Sequence, residues 1–399
     1  MAPPGAIPPG YAYQGIPQSF MARKPVPEGE DTNTRAYVIF FSYLTLCVSL
    51  TVFILQRLLK SYAVLSKSTT ARTPPKKHVL IFAFLAAASL VATWYHMLQY
   101  FKWSYTVWST WRSFYTLDPN HLHWGLWLKQ TSLFREAWET AITAYSRYWW
   151  THQVFLFACG LGLDLEQKGI PRGIKHTWAF MLLGQVVAVS FATNLFLLAL
   201  LLSPPPLPGQ PSRAASTKKR LGPWVINLAA IVATLSTVYL LLNKEYWHSD
   251  AFMPLLLTSH VALLVLPCAR VLLPQKYSED DPGTVGKIYD YLWRLTAGGG
   301  ALLFLRATAT QYNYSGFQGI WDALFEHSAV STVAFDVIFC WISWITWWVV
   351  RGANLDDNIK AVHEGLREKD EKESSWSDAG GGTATIGGHT SAGGEFRRR

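Results

Sequence analysis

The sequence predicts an all-α, polytopic integral membrane protein of about eight transmembrane helices. Three observations predict it. Half of the 399 residues are hydrophobic and only 15 % are charged, against roughly 25 % charged in soluble domains. The apolar residues gather in runs of about 20, the length a helix needs to cross a bilayer. Nineteen Trp and 18 Tyr crowd near these runs, as in KWSYTVWSTWRSF at 102–114, where amphipathic rings favour the headgroup level.

Taken in order, residues 1–35 are rich in Pro and Gly and read as a disordered tail. The first span covers about 36–55, a basic segment follows, and the second covers about 79–101. The stretch 102–147 is long for a loop. Towards its end, SLFREAWETAITAYSRYWW at 132–150 has helical apolar spacing, so one interfacial helix is expected there, lying on the membrane or capping a cavity. Further spans fall at about 148–165, 177–202, 224–242, 251–273, 288–310 and 329–350. Gly298, Gly299 and Gly300 permit close helix contact or a kink. From 351 the chain is charged, then rich in Gly, Ser and Thr, a second disordered tail.

Eight spans put both termini on one side. That side holds 19 Lys and Arg near the spans, against 10 on the other, so the positive-inside rule predicts cytosolic termini. The membrane is expected to be the endoplasmic reticulum. The sequon Asn313-Tyr314-Ser315 then lies on the luminal side as a candidate glycosylation site. The net charge of +9 is spread over loops and tails, which suits anionic lipid surfaces and not nucleic acid. Cys47, Cys159, Cys268 and Cys340 each fall in an apolar run and read as small buried hydrophobes, with no zinc or disulfide spacing.

No Walker loop, HExxH, GxSxG or dinucleotide fingerprint occurs. The chemistry must come from isolated polar groups among the spans. The richest stretch is WDALFEHSAVSTVAFDVIFCWISWITWWVV, 321–350. Asp336 stands a third of the way into its apolar half, and an intramembrane carboxylate is a functional candidate by default; the alternative is a hydrogen bond to a neighbouring helix. As one continuous helix, the stretch puts Asp322, Glu326 and Asp336 on one broad face, with Asp336 about 15 Å deeper than Glu326. His260, mid-span, and His96, near a span end, are candidate proton relays or plain hydrogen-bonding groups. Gln185 and Asn194 lie nine residues apart, on roughly opposite helix faces, and either bond helices together or line a pocket. Tyr95 and Trp341 could offer ring faces to a developing cation, though most rings here serve as belt anchors. Burial disfavours a charged carboxylate, so such a group can stay protonated and act as a general acid.

The segments SRYWWTHQVFLFACGLGLDLEQKGIPRGIKHTWAFMLLGQVVAVSFATNLFLLALLL, 146–202, and HSAVSTVAFDVIFCWISW, 327–344, resemble fungal membrane-bound terpene cyclases of the ascochlorin and ascofuranone pathways. The resemblance implies an enzyme of meroterpenoid or polyketide secondary metabolism, related to epoxide hydrolase-cyclases. Its substrate would be a lipophilic epoxidised prenyl or polyene chain. An acid would protonate the oxirane, and a ring would close, with no metal or cofactor. It would share its membrane with other enzymes of the pathway. The rival expectation is a non-enzymatic multi-pass protein such as a small-molecule transporter or assembly factor, because a permeation path also needs buried polar groups.

Overall fold

The computed structural model describes residues 33–67, 74–113, 122–203, 224–272 and 282–350. The two tails expected to be disordered lie outside the described residues, save for residues 33–35 at the end of the first, where Thr34 and Arg35 are helical. The structure is all-helical, 89 % helix, with no strand among the described residues. The helices are α1 (Thr34–Ser66), α2 (Lys76–Ser113), α3 (Trp124–Gln130), α4 (Leu133–Ile142) and α5 (Tyr145–Asp164). After α5 come a π turn at Leu165–Gly169 and a 3-10 turn at Ile170–Arg172. Then follow α6 (Thr177–Val186), α7 (Val189–Leu202), α8 (Trp224–Leu240), α9 (Phe252–Leu272), α10 (Pro282–Ser315) and α11 (Gln318–Glu326). The last helix, α12, is Ser328–Val350. Residues 346–399 form a separate unit, of which 346–350 are described and helical.

Among the described residues, three helices are long and apolar enough to cross a membrane: α1, the Lys76–Trp111 part of α2, and α12. Four shorter apolar helices accompany them: α6, α7, α8 and the Phe252–Val265 part of α9. Burial follows the logic of a chain solvated by lipid. Val38, Phe41, Val48 and Val52 of α1 and Leu80, Phe84 and Val91 of α2 face outward, while Arg147, His152, Glu166, Asn194 and Asp336 are buried. Such polar groups tolerate a dry interior only when other helices supply partners.

The core is built on α5 and α7. Every residue of α7 is buried, and α5 packs against α4, α9, α10 and α11. Close approach of α10 uses its glycines: a Cβ on Gly299 would meet Leu235 of α8 at 2.8 Å, and one on Gly300 would meet Leu156 of α5 at 3.3 Å. Gly299 and Gly300 therefore serve close contact, one of the two roles the run's sequence allows, while a Cβ on Gly298 would meet nothing within 4 Å. Cys47, Cys159 and Cys340 are buried free thiols.

Three expected continuous helices are broken. The expected span at 177–202 splits into α6 and α7 at Val187 and Ala188 (φ −118° and −168°). The expected interfacial helix splits into α4 and the start of α5, with Ala144 extended. The stretch 321–350 splits at His327 (φ −150°, ψ 137°) into α11 and α12. Neither Gly nor Pro stands at the first break, which lies in the run Val186-Val187-Ala188-Val189. Branching at Cβ weakens a helix only slightly, so periodicity does not reveal it.

Candidate functional site

The breaks are best understood from their orphaned backbone groups. A helix end leaves N–H or C=O groups unpaired, and inside lipid no water replaces the missing partner. At the α6–α7 break both ends find side chains on other helices. The Tyr43 hydroxyl of α1 donates to the Val186 carbonyl at 2.8 Å, and the Cys47 thiol, one turn on, lies 3.6 Å from the same oxygen. Across the break, Val189 N–H donates to Asp336 Oδ2 at 2.9 Å and Ser190 N–H to Oδ1 at 2.7 Å. Asp336 on α12 thus caps the N-terminus of α7. Two amide donors and the positive end of a helix suit an ionised carboxylate.

This break forms one wall of a cavity of about 1000 Å³. Phe40, Tyr43, Tyr100, Phe134, Trp138 and Phe155 make much of its lining aromatic. Asp336, His260 and Gln185 also lie on its wall, so three of the sequence candidates, drawn from α12, α9 and α6, share one chamber. His260 Nδ1 donates to the Leu256 carbonyl at 2.9 Å. In the neutral ring this leaves Nε2 as the acceptor nitrogen. The imidazole stands edge-on to Trp138 and Phe155, with centroids at 5.1 and 5.4 Å. Gln185 is half-buried, its amide nitrogen 3.8 Å from Met181 Sδ.

The other candidates lie elsewhere. The break at His327 puts Asp322 and Glu326 on a different helix from Asp336, which removes the expected single polar stripe. Asp322 accepts from Gln318 at 2.9 Å on the surface. Glu326 forms a bidentate ion pair with Arg147 of α5, with Nε to Oε2 at 3.0 Å, a latch between helices. His96 stacks on Phe335 at 4.9 Å, and neighbouring Tyr95 is exposed. Trp341, half exposed, donates to Gln153 Oε1 at 3.0 Å. Asn194 is fully buried and donates to the Ser190 carbonyl of its own helix at 2.9 Å. Asn313 is exposed on the last turn of α10. None of these seven lines the cavity.

Sequence reasoning missed several groups. Tyr43 and Cys47 sit four apart on α1, a spacing that marks one helix face and could have flagged them. Arg35, Lys129 and Arg135 line the cavity, yet in sequence they resemble interfacial cations. His327, not singled out among the candidates, caps α12: its Nδ1 accepts the Ala329 N–H at 3.1 Å. Burial first, then the Arg147 charge, pushes its pKa down to about 3, so the ring is neutral. At the far end of α5, Glu166 accepts from Asn227 at 3.2 Å and from the Tyr289 hydroxyl, and Asp164 pairs with Lys168 at 2.6 Å. That cluster ties α5 to α8 and α10 and lies off the cavity. Among the described residues no three His, Cys, Asp or Glu come together as a metal set. The chain matches no protein-family model, no curated protein and no solved structure.

Proposed function

We propose that this chain is a membrane enzyme that opens a lipophilic epoxide on a prenyl or polyene chain and closes a ring inside the cavity. The observation that carries the reading is the shared chamber of Asp336 and His260, walled largely by aromatic and aliphatic side chains. The resemblance at 146–202 and 327–344 to cyclases of the ascochlorin and ascofuranone pathways supports the choice of substrate. In this reading α1, α2, α5, α6–α7, α8, α9, α10 and α12 are the eight spans, with α3–α4 as the interfacial segment. The termini face the cytosol from the endoplasmic reticulum membrane, beside other enzymes of the same pathway.

The reaction needs one proton delivered and one removed. Imidazolium His260 donates from Nε2 to the oxirane oxygen as the C–O bond breaks. The tertiary carbon takes the positive charge, faced by the rings of Tyr100, Trp138 and Phe155, since ring faces attract cations. An alkene or hydroxyl of the same molecule attacks that carbon, and the Asp336 carboxylate takes the proton then released. Passage of that proton back to His260 resets the pair. Asp336, expected as the acid, becomes counter-ion and base here, because both its oxygens already accept amide hydrogens.

The test is turnover of farnesyl-phenol epoxides and a polyene polyepoxide by yeast microsomes containing the chain, read by chromatography and NMR. His260→Gln keeps a side chain of similar length beside Trp138 and Phe155 and removes no hydrogen bond to another helix, since the ring's bond is to its own. It should accumulate normally and lose roughly 100-fold in turnover, a usual size for one acid–base group. Turnover equal to wild type would remove His260 from the mechanism. The α6–α7 discontinuity favours a second reading, a small-molecule transporter, because transporter sites are built at broken helices. Energised flux of the same compounds across proteoliposomes, without conversion, would establish that reading in place of the first.

A further inference from the structure

Resting on the reading of the cavity as a substrate chamber, we infer that the chamber has a cation pole at the α6–α7 break and takes a lipophilic ammonium ion there, its charge beside Asp336. The charges at the break carry the inference. Asp336 is buried, and the groups that hold it are the Val189 and Ser190 amides, at 2.9 and 2.7 Å. Among the described residues no Lys or Arg forms an ion pair with it. In an unbroken helix those two amides would bond the carbonyls of Gln185 and Val186, four residues back. Both carbonyls are thereby released at the carboxyl end of α6. The start of α7 contributes about half a positive charge and the end of α6 about half a negative one. These cancel, and the carboxylate leaves the break with about one negative charge and no Lys or Arg to match it. The amides supply hydrogen bonds; a bound cation supplies the opposite charge that a buried ion also needs.

The wall around the break suits that ligand. Gly184 to Val189 all line the chamber, so the residues with released carbonyls belong to its wall. The Val186 carbonyl is held by the Tyr43 hydroxyl, which brings that ring to the break. Tyr43, Tyr100, Trp138 and Phe155 line the same chamber, and aromatic walls are the usual surroundings of a bound ammonium group. The chamber's own cations stand apart from the break. Arg35 is exposed and eight residues from Tyr43 on α1, about 12 Å along the axis. Lys129 is also exposed, on α3, whose Gly125 packs against Asn33 and Tyr37 at the start of α1. Arg135 is engaged by Glu139 at 2.6 Å. Attraction at contact with Asp336 outweighs repulsion from charges that are more distant and reached by solvent. In the epoxide reaction positive charge arises on a carbon in this chamber, so an ammonium ion is the stable likeness of that intermediate. A neutral ligand of the same shape gains the same burial and leaves Asp336 unmatched.

The experiment uses the full chain in phosphatidylcholine nanodiscs. Two tritiated probes of equal shape are compared: farnesyltrimethylammonium and the hydrocarbon in which carbon replaces its nitrogen. Empty discs subtract partition into lipid. The expected result is at least tenfold tighter binding of the cation. Equal affinities overturn the cation pole and leave the chamber reading intact; binding of neither overturns both. In Asp336→Asn, which keeps an acceptor oxygen at the break, the affinity of the cation should fall to that of the hydrocarbon, itself unchanged. A tenfold preference retained there overturns the assignment to Asp336. Where that variant binds neither probe, the wild-type chain decides through a diazirine placed on an ammonium methyl group. After illumination, mass spectrometry should find the label within residues 184–190 or 332–337. Label in neither segment overturns the inference.

Discussion

At the scale of single residues, the buried polar groups divide by what the neighbouring helix offers them. Glu326 and Arg147 satisfy each other, so a carboxylate that looked catalytic in sequence is a fastening. His327 is held neutral by burial first and then by the Arg147 charge, and its Nδ1 accepts the Ala329 amide. Its folded pKa, about 3, lies below the ordinary value near 6.5, so the unfolded chain binds more protons between these limits. The stability His327 contributes is fully present above about pH 6.5 and declines as pH falls toward about 3, at most ~1.4 kcal/mol per pH unit. His327→Asn keeps an acceptor at the cap and should lose less stability than wild type between pH 7 and 5. Thermal unfolding in detergent at both pH values checks this; equal losses would show that His327 does not titrate as described.

At the scale of elements, the α6–α7 break is the decisive local structure. It exists because α1 and α12 supply Tyr43 and Asp336 to its two ends. Removing either partner should loosen the break in proportion to what it satisfies. Tyr43→Phe removes one neutral hydrogen bond, about 1 kcal/mol. Asp336→Ala leaves two buried amides unpaired, roughly 3 kcal/mol. Hydrogen exchange over residues 186–192 should accelerate in both variants, and more in Asp336→Ala. The reverse order would mean that the carboxylate does not hold α7. Of this element the sequence revealed the apolar run and the isolated acid. It did not reveal the discontinuity, because Val-Val-Ala-Val is compatible with a helix and the competing partners are more than 130 residues away.

At the scale of the whole molecule, α1 to α7, α9 and α12 surround one chamber. Its volume of about 1000 Å³ is space that side chains do not fill, whereas interiors normally close to crystal-like density. Filling it should remove binding without unfolding the protein. Val333→Trp, on the chamber wall, should lower turnover at least tenfold. Unfolding should shift little, since a small-to-large change costs ~1–3 kcal/mol only where no space exists. Wild-type turnover in that variant would place the chemistry elsewhere.

Composition and run length alone determined that the chain is helical and suited to a membrane, because hydrogen-bonding backbone in lipid has few solutions and all are written in apolar length. The same reading found the isolated groups Asp336, His260 and Gln185, since a polar residue in an apolar run stands out without any partner. Only the tertiary structure decided which of them meet. Glu326 went to Arg147, Asn194 turned back on its own helix, His96 stacked on Phe335, and Arg35 joined a chamber wall. Each outcome depends on the partner helix facing that residue, and a single chain's periodicity carries the direction of a side chain but not the identity of what stands opposite.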